Sequence, residues 1–98
     1  MGDSTDKVVE LRVSGSTQPS KLGGAIAKYL KEVSTVCLFA MGDAAVNAAV
    51  KGIIVAQSFV SYEAQELDLH LGFKTKYDDA LQKDITRVVF YIKLKEVV

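Results

Sequence analysis

The apolar residues of this chain switch repeatedly between a two-residue repeat and a ~3.6-residue one, and that switching restricts the fold more than any other feature. In KVVELRVSG, Val9, Leu11 and Val13 alternate with Glu10, Arg12 and Ser14, which predicts a half-buried strand. From Leu22 the spacing turns helical: Leu22, Ile26, Tyr29, Leu30 and Val33 share a stripe, with Lys21, Lys28, Lys31 and Glu32 elsewhere on the wheel. TVCLFAMG, residues 35–42, is apolar on both faces and reads as a central strand. Val46, Val50, Ile53 and Val60, with Ala49 and Ala56 between them, predict a second, longer helix. Gly52 inside it marks close packing against another backbone. Strict alternation returns at Leu67, Leu69, Leu71 and Phe73, and again at Val88, Phe90, Ile92 and Leu94.

The order is therefore β-α-β-α-β-β, an α/β chain in two layers. Right-handed crossovers make the first three strands parallel and put both helices on one face of a four-stranded mixed sheet. The last strand returns antiparallel through a protruding hairpin, whose polar connection KTKYDDALQKD is too long for a tight turn. Strands two and four are apolar on both faces, so the last strand is placed between the second and the third. With this topology the loop 14–20, the turn Met41–Asp43 and the hairpin 74–84 rise from one edge, where open α/β sheets bind ligands.

The 98 residues make one domain, 1–98, with a polar, frayed tail expected at 1–6. Twelve basic and twelve acidic side chains cancel, so any affinity for a polyanion has to come from a local patch. Cys37 is alone, which excludes an intrachain disulfide and points to a reducing, cytoplasmic setting, or a nuclear one in a eukaryote. No apolar run approaches the ~20 residues of a membrane span, and the opening MGDSTDKVVE has neither a signal-peptide pattern nor a myristoylation site. No membrane partner is expected.

Two constellations carry candidate chemistry. In SGSTQPSKLGG, residues 14–24, Ser16 or Thr17 is placed to cap the first helix and Pro19 suits its first turn. Ser16, Thr17, Ser20 and Lys21, with the helix N–H groups, suit a phosphate or carboxylate. Capping and turn chemistry accounts for the same hydroxyls. Asp43 is placed to cap the second helix and fills that terminus with its own charge. In the hairpin, Lys74, Lys76, Lys83 and Arg87 surround Tyr77 and suit a nucleic-acid backbone with one ring for stacking. Asp78, Asp79 and Asp84 are interleaved, so a solvated loop of mixed sign explains the same residues.

Little points to catalysis. His70 is the single histidine, Cys37 reads as a core residue, and neither P-loop nor GxGxxG spacing occurs. No enzyme, metal or cofactor is expected. Cys37, Phe39 and Met41, with Val89 and Tyr91, would leave an apolar centre on the sheet face that has no helices, which favours a partner subunit.

VELRVSGSTQPSKLGGAIAKYL followed by LFAMGDAAVNAAVKGIIVAQSFV resembles the stage V sporulation protein S family, within the Alba-like group of nucleic-acid-binding domains. The likeness runs from about Val8 to about Leu94. It implies an Alba-like fold, a homodimer or higher oligomer, and binding of DNA or RNA without catalysis. The opening loop 14–21 and the hairpin 74–87 would grip the nucleic acid, Lys21 would supply the loop's basic contact, and Asn47 and Lys51 match the second-helix motif. Met41, Gly42 and Asp43 stand where archaeal Alba proteins carry arginines, and Gln57 replaces a family arginine, which implies modest affinity. A regulatory protein–protein interaction module on the same fold is the alternative.

Overall fold

Four strands and two helices follow the expected order in the computed structural model, which describes residues 7–96. The tail expected at 1–6 lies outside the described residues. The elements are β1 (Val8–Val13), α1 (Pro19–Tyr29), β2 (Thr35–Ala40), α2 (Asp43–Ser61), β3 (Gln65–Asp78) and β4 (Lys83–Glu96). The sheet order is β1-β2-β4-β3, with β1 and β2 parallel and β4 antiparallel to both β2 and β3. The doubly apolar strands occupy the two central positions, as their composition requires.

One sheet face meets the helices. Val36, Leu38 and Ala40 of β2 and Phe90 and Ile92 of β4 pack there against Leu22, Ile26 and Leu30 of α1 and Ala45, Ala49, Ile53 and Ala56 of α2. Burying a side chain such as Leu38, Ile26 or Ile92 stabilises the fold by about 2–3 kcal/mol each before chain entropy is charged against it. Alanines on α2 bring the helices close, and two glycines bring them closer. A Cβ on Gly23 would stand 2.4 Å from Val55 Cγ1 and 2.9 Å from the Gly52 carbonyl oxygen; one on Gly52 would stand 2.5 Å from Leu22 Cδ2. The sequence signal at Gly52 is thus a steric requirement.

The helix termini differ from the sequence expectation. The residue capping α1 is Gln18, with no side-chain cap bond, and neither Ser16 nor Thr17 reaches it. α2 is capped by Gly42 at φ +91°, a conformation that favours glycine, and Asp43 is already the first helical residue. By length and mean hydropathy (1.4) α2 reaches what a membrane-spanning helix needs, although Asn47, Lys51 and Gln57 interrupt its apolar run. One stripe of it, from Ala45 to Val60, is domain core.

β3 and β4 are 14 residues each, whereas β2 pairs with β4 only between Val88 and Ile92. Residues 74–78 and 83–87 therefore project past the sheet by about 17 Å. Much of the polar connection is itself strand. Thr75 and Thr86 face each other with their hydroxyls 2.8 Å apart, and residues 79–82 form the turn, where the Leu81 N–H donates to Asp78 Oδ1 at 3.0 Å.

Candidate nucleic-acid interface

Strand parity sorts the hairpin charges. In the continuous register of β3 with β4, Lys74, Lys76, Lys83, Ile85 and Arg87 point away from the helices. Tyr77 and Asp84 form a cross-strand pair pointing the other way. The four cations therefore share a face but do not surround Tyr77, which the linear sequence had suggested. Of the interleaved aspartates, Asp84 is on the opposite face and Asp79 is in the turn, whereas Asp78 stays on the cations' face opposite Lys83 and accepts the Leu81 N–H.

Where the hairpin leaves the sheet, Lys74, Lys76 and Arg87 meet Arg12 and Glu10 of β1 and Phe39 of β2 around a cup of about 180 Å³. Lys74 Nζ lies 5.9 Å from the centre of the Phe39 ring, near the outer reach of a cation–π contact. The ion pairs among the described residues are Lys31–Glu63 and a weak His70–Asp68 contact, so none of the cup's cations has a carboxylate partner there within 4.0 Å. Four positive charges face one carboxylate, Glu10. A larger cleft of about 340 Å³ between α1 and α2 is lined mainly by Gly24, Ala27, Phe59 and Val60; its Lys31 is taken up by Glu63 at 3.3 Å, which leaves Lys28 as its single unpaired cation among the described residues. It offers a phosphate little.

The β1–α1 loop stands at the same edge, directly after Arg12 and Val13. Its hydroxyls are partly occupied with each other: the Ser14 N–H donates to Thr17 Oγ1 at 2.9 Å, the Ser16 N–H donates to Ser14 Oγ at 3.2 Å, and the Ser14 and Ser16 hydroxyls are 3.0 Å apart. This is the turn chemistry weighed above. The first turn of α1 is nevertheless open, with no side-chain cap and no acidic residue, and Ser20 and Lys21 are exposed on it. Asn47 and Lys51 are exposed on α2, in the helix layer, on the far side of the sheet from the cup. Of the eleven candidates, the cup unites Lys74, Lys76 and Arg87; Lys83 shares their face nearer the tip, opposite Asp78. Arg12 and Phe39 were missed as site residues. Their signal was parity: both fall out of phase with the core positions of their strands.

The floor of this face is not the bare apolar centre that was expected. Cys37 and Val89 are buried beneath the side chains of neighbouring strands. Burial pushes the Cys37 thiol above its ordinary range, Glu10 adds to that shift and Lys74 opposes it, so the group is a protonated core thiol. Exposed apolar surface lies instead on the helix side. Gln57 Oε1 accepts the Leu67 N–H at 3.0 Å, which turns one stripe of α2 toward β3. Val50 and Ile54 continue that stripe at helical spacing, and Leu69, Leu71 and Phe73 continue the same side of β3. Ile54 is 63% exposed and Phe73 79%. A helix layer two helices wide does not reach over the edge strand.

Comparison with known proteins agrees with this architecture. The model of the stage V sporulation protein S family matches residues 9–95. Among solved structures, Alba from Thermoplasma volcanium aligns with a TM-score of 0.52 at 12% identity, covering 92% of this chain and 100% of that one, a likeness of fold alone.

Proposed function

The chain belongs to the stage V sporulation protein S family, and we propose that it is a non-enzymatic, cytoplasmic nucleic-acid-binding protein of modest affinity. Its β1–α1 loop and β3–β4 hairpin grip the phosphate backbone. The observation that carries this reading is the gathering of Arg12, Lys74, Lys76 and Arg87 around one cup without carboxylate partners among the described residues. Like charges held together repel, and an anion spanning them removes that cost. A polyphosphate backbone fits because the cations follow a line along the projecting hairpin, where phosphates position a strand without reading its bases. The open first turn of α1, with Lys21, supplies a second contact at the same edge. A neutral overall charge keeps the affinity modest.

The apolar strip of α2 and β3 supports self-association as a homodimer or higher oligomer, since exposed apolar strips of this kind mark interaction sites. It also favours the second reading, a regulatory module that binds another protein there and no nucleic acid. Fluorescence-anisotropy titrations with DNA and RNA, single- and double-stranded, across a range of salt separate the two. Binding that weakens steeply with salt is expected for the first reading, and no binding leaves the second.

A further inference from the structure

We infer that the open sheet face itself, and not only the hairpin that extends it, is a platform for single-stranded nucleic acid. Unpaired bases stack on Phe39 and Tyr91 over the Gly72 notch, and their phosphates are held by Arg12, Lys74 and Arg87. This rests on the backbone-binding reading above and adds to it the kind of strand that is bound.

The rungs of the sheet place these groups. One rung on the open face runs Arg12, Phe39, Val89, Gly72, and the next runs Glu10, Cys37, Tyr91, His70. Phe39 and Tyr91 are diagonal neighbours on the two central strands, about 7–8 Å apart at the backbone. Tyr91 is 39% exposed and Phe39 half-buried, so both rings are seated in the sheet yet reachable from solvent. Two aromatics side by side on the strands of an open sheet, bordered by cations, are the arrangement with which sheet-faced modules stack bases. The bases of a duplex are stacked on one another and cannot lie on these rings. A duplex would lay phosphates on the cup cations, the hairpin and the loop without stacking a base on these rings.

Gly72 is the independent observation. It sits in the interior of β3, where a glycine weakens a strand, and nothing in the fold asks for it. A Cβ there would meet no atom within 4 Å, and its φ does not lie in the left-handed region. The missing side chain leaves a notch between His70 and Lys74 on the open face, at the outer end of the rung that carries Phe39. A strand glycine without a packing or conformational reason marks the close approach of something else. Across the strand pair its diagonal neighbours are Tyr91 on one side and Arg87 on the other. Lys74, at the limit of its contact with the Phe39 ring, can move to a phosphate at small cost.

The test fills the notch without touching a charge. Gly72→Val adds a strand-favouring side chain into open space, so the fold and thermal midpoint are retained; Tyr91→Leu, at a ring outside the cup, keeps an apolar residue but removes the ring. Each is titrated by anisotropy against a labelled oligouridylate, an oligothymidylate and a DNA duplex of equal length, at one ionic strength. Single strands are expected to bind more tightly than the duplex, and each variant to weaken them about fivefold or more while leaving duplex binding unchanged. Duplex binding that persists with no preference for single strands, or single-strand affinity unmoved in both variants, overturns the platform and leaves the backbone reading standing. Absence of binding to every probe in the parent removes both.

Discussion

The two faces of this sheet show opposite relations between cover and stickiness. The face under the helices is the protected one in outline, yet it carries the exposed apolar strip of Val50, Ile54, Leu69, Leu71 and Phe73. The face without helices has only a narrow apolar floor, already sealed by Phe39, Tyr91 and the stems of lysines and arginines. A missing layer does not by itself make a face an oligomer interface. What counts is whether the side chains of that face are long enough to cover their own floor. On this molecule they are, and the same long cations that cover the floor make the face suited to phosphates.

The largest effect is expected where the helix layer is tightest. In an isolated helix, Gly23→Ala would gain about 1 kcal/mol of propensity. Here the new methyl would stand 2.9 Å from the Gly52 carbonyl oxygen, and backbone does not yield cheaply. The clash outweighs the gain, and urea unfolding should show a net loss of about 1–3 kcal/mol. A raised midpoint would show that the crossing has slack. Next comes the apolar strip. Ile54→Lys should convert an oligomer into a 10.6 kDa species in sedimentation equilibrium with its unfolding midpoint little changed, because Ile54 is already 63% exposed. A parent that sediments at 10.6 kDa at micromolar concentration would break this half of the comparison and turn the strip over to a different protein partner. The smallest effect lies at the hairpin tip. Asp78→Asn with Asp79→Asn removes two negative charges beside the cations while an amide oxygen remains for the Leu81 N–H. Binding should tighten by about two- to fivefold at low salt. Tyr77→Ala, on the opposite face, should leave it unchanged.

The layer order was legible because periodicity and composition both speak about burial: β2 and β4 are apolar on both faces only if they are central, and Gly52 in an alanine-rich stripe only if another backbone is near. The site was legible in part. Lys74, Lys76 and Arg87 stood out as a basic run, but that they share a face while Asp84 and Tyr77 take the other depends on register, which the turn at 79–82 sets. Arg12 and Phe39 were hidden for a different reason. They lie far from the hairpin in sequence, and only the insertion of β4 between β2 and β3 brings all four strands under one cup. The capping expectations failed because Ser16 and Thr17 hydroxyls are held within their own turn, a local competition that residue type alone does not resolve. Gln57 carried no signal of its role either; its side-chain amide ties α2 to the outer edge of β3.

The central claim is that the hairpin cations of the open face hold a phosphate backbone, and the salt dependence of binding tests it most directly. Parent protein, Lys76→Ala, and Lys74→Ala with Lys76→Ala would be titrated with unrelated sequences over a salt series, with circular dichroism confirming that these exposed lysines leave the fold intact. The expected result is a linear fall of log affinity with log salt, a slope smaller by about 0.7–0.9 for each lysine removed, and the same loss for every sequence. A parent without salt-dependent binding, or variants whose slopes match the parent's, would contradict it and leave the protein-interaction module as the function of this fold.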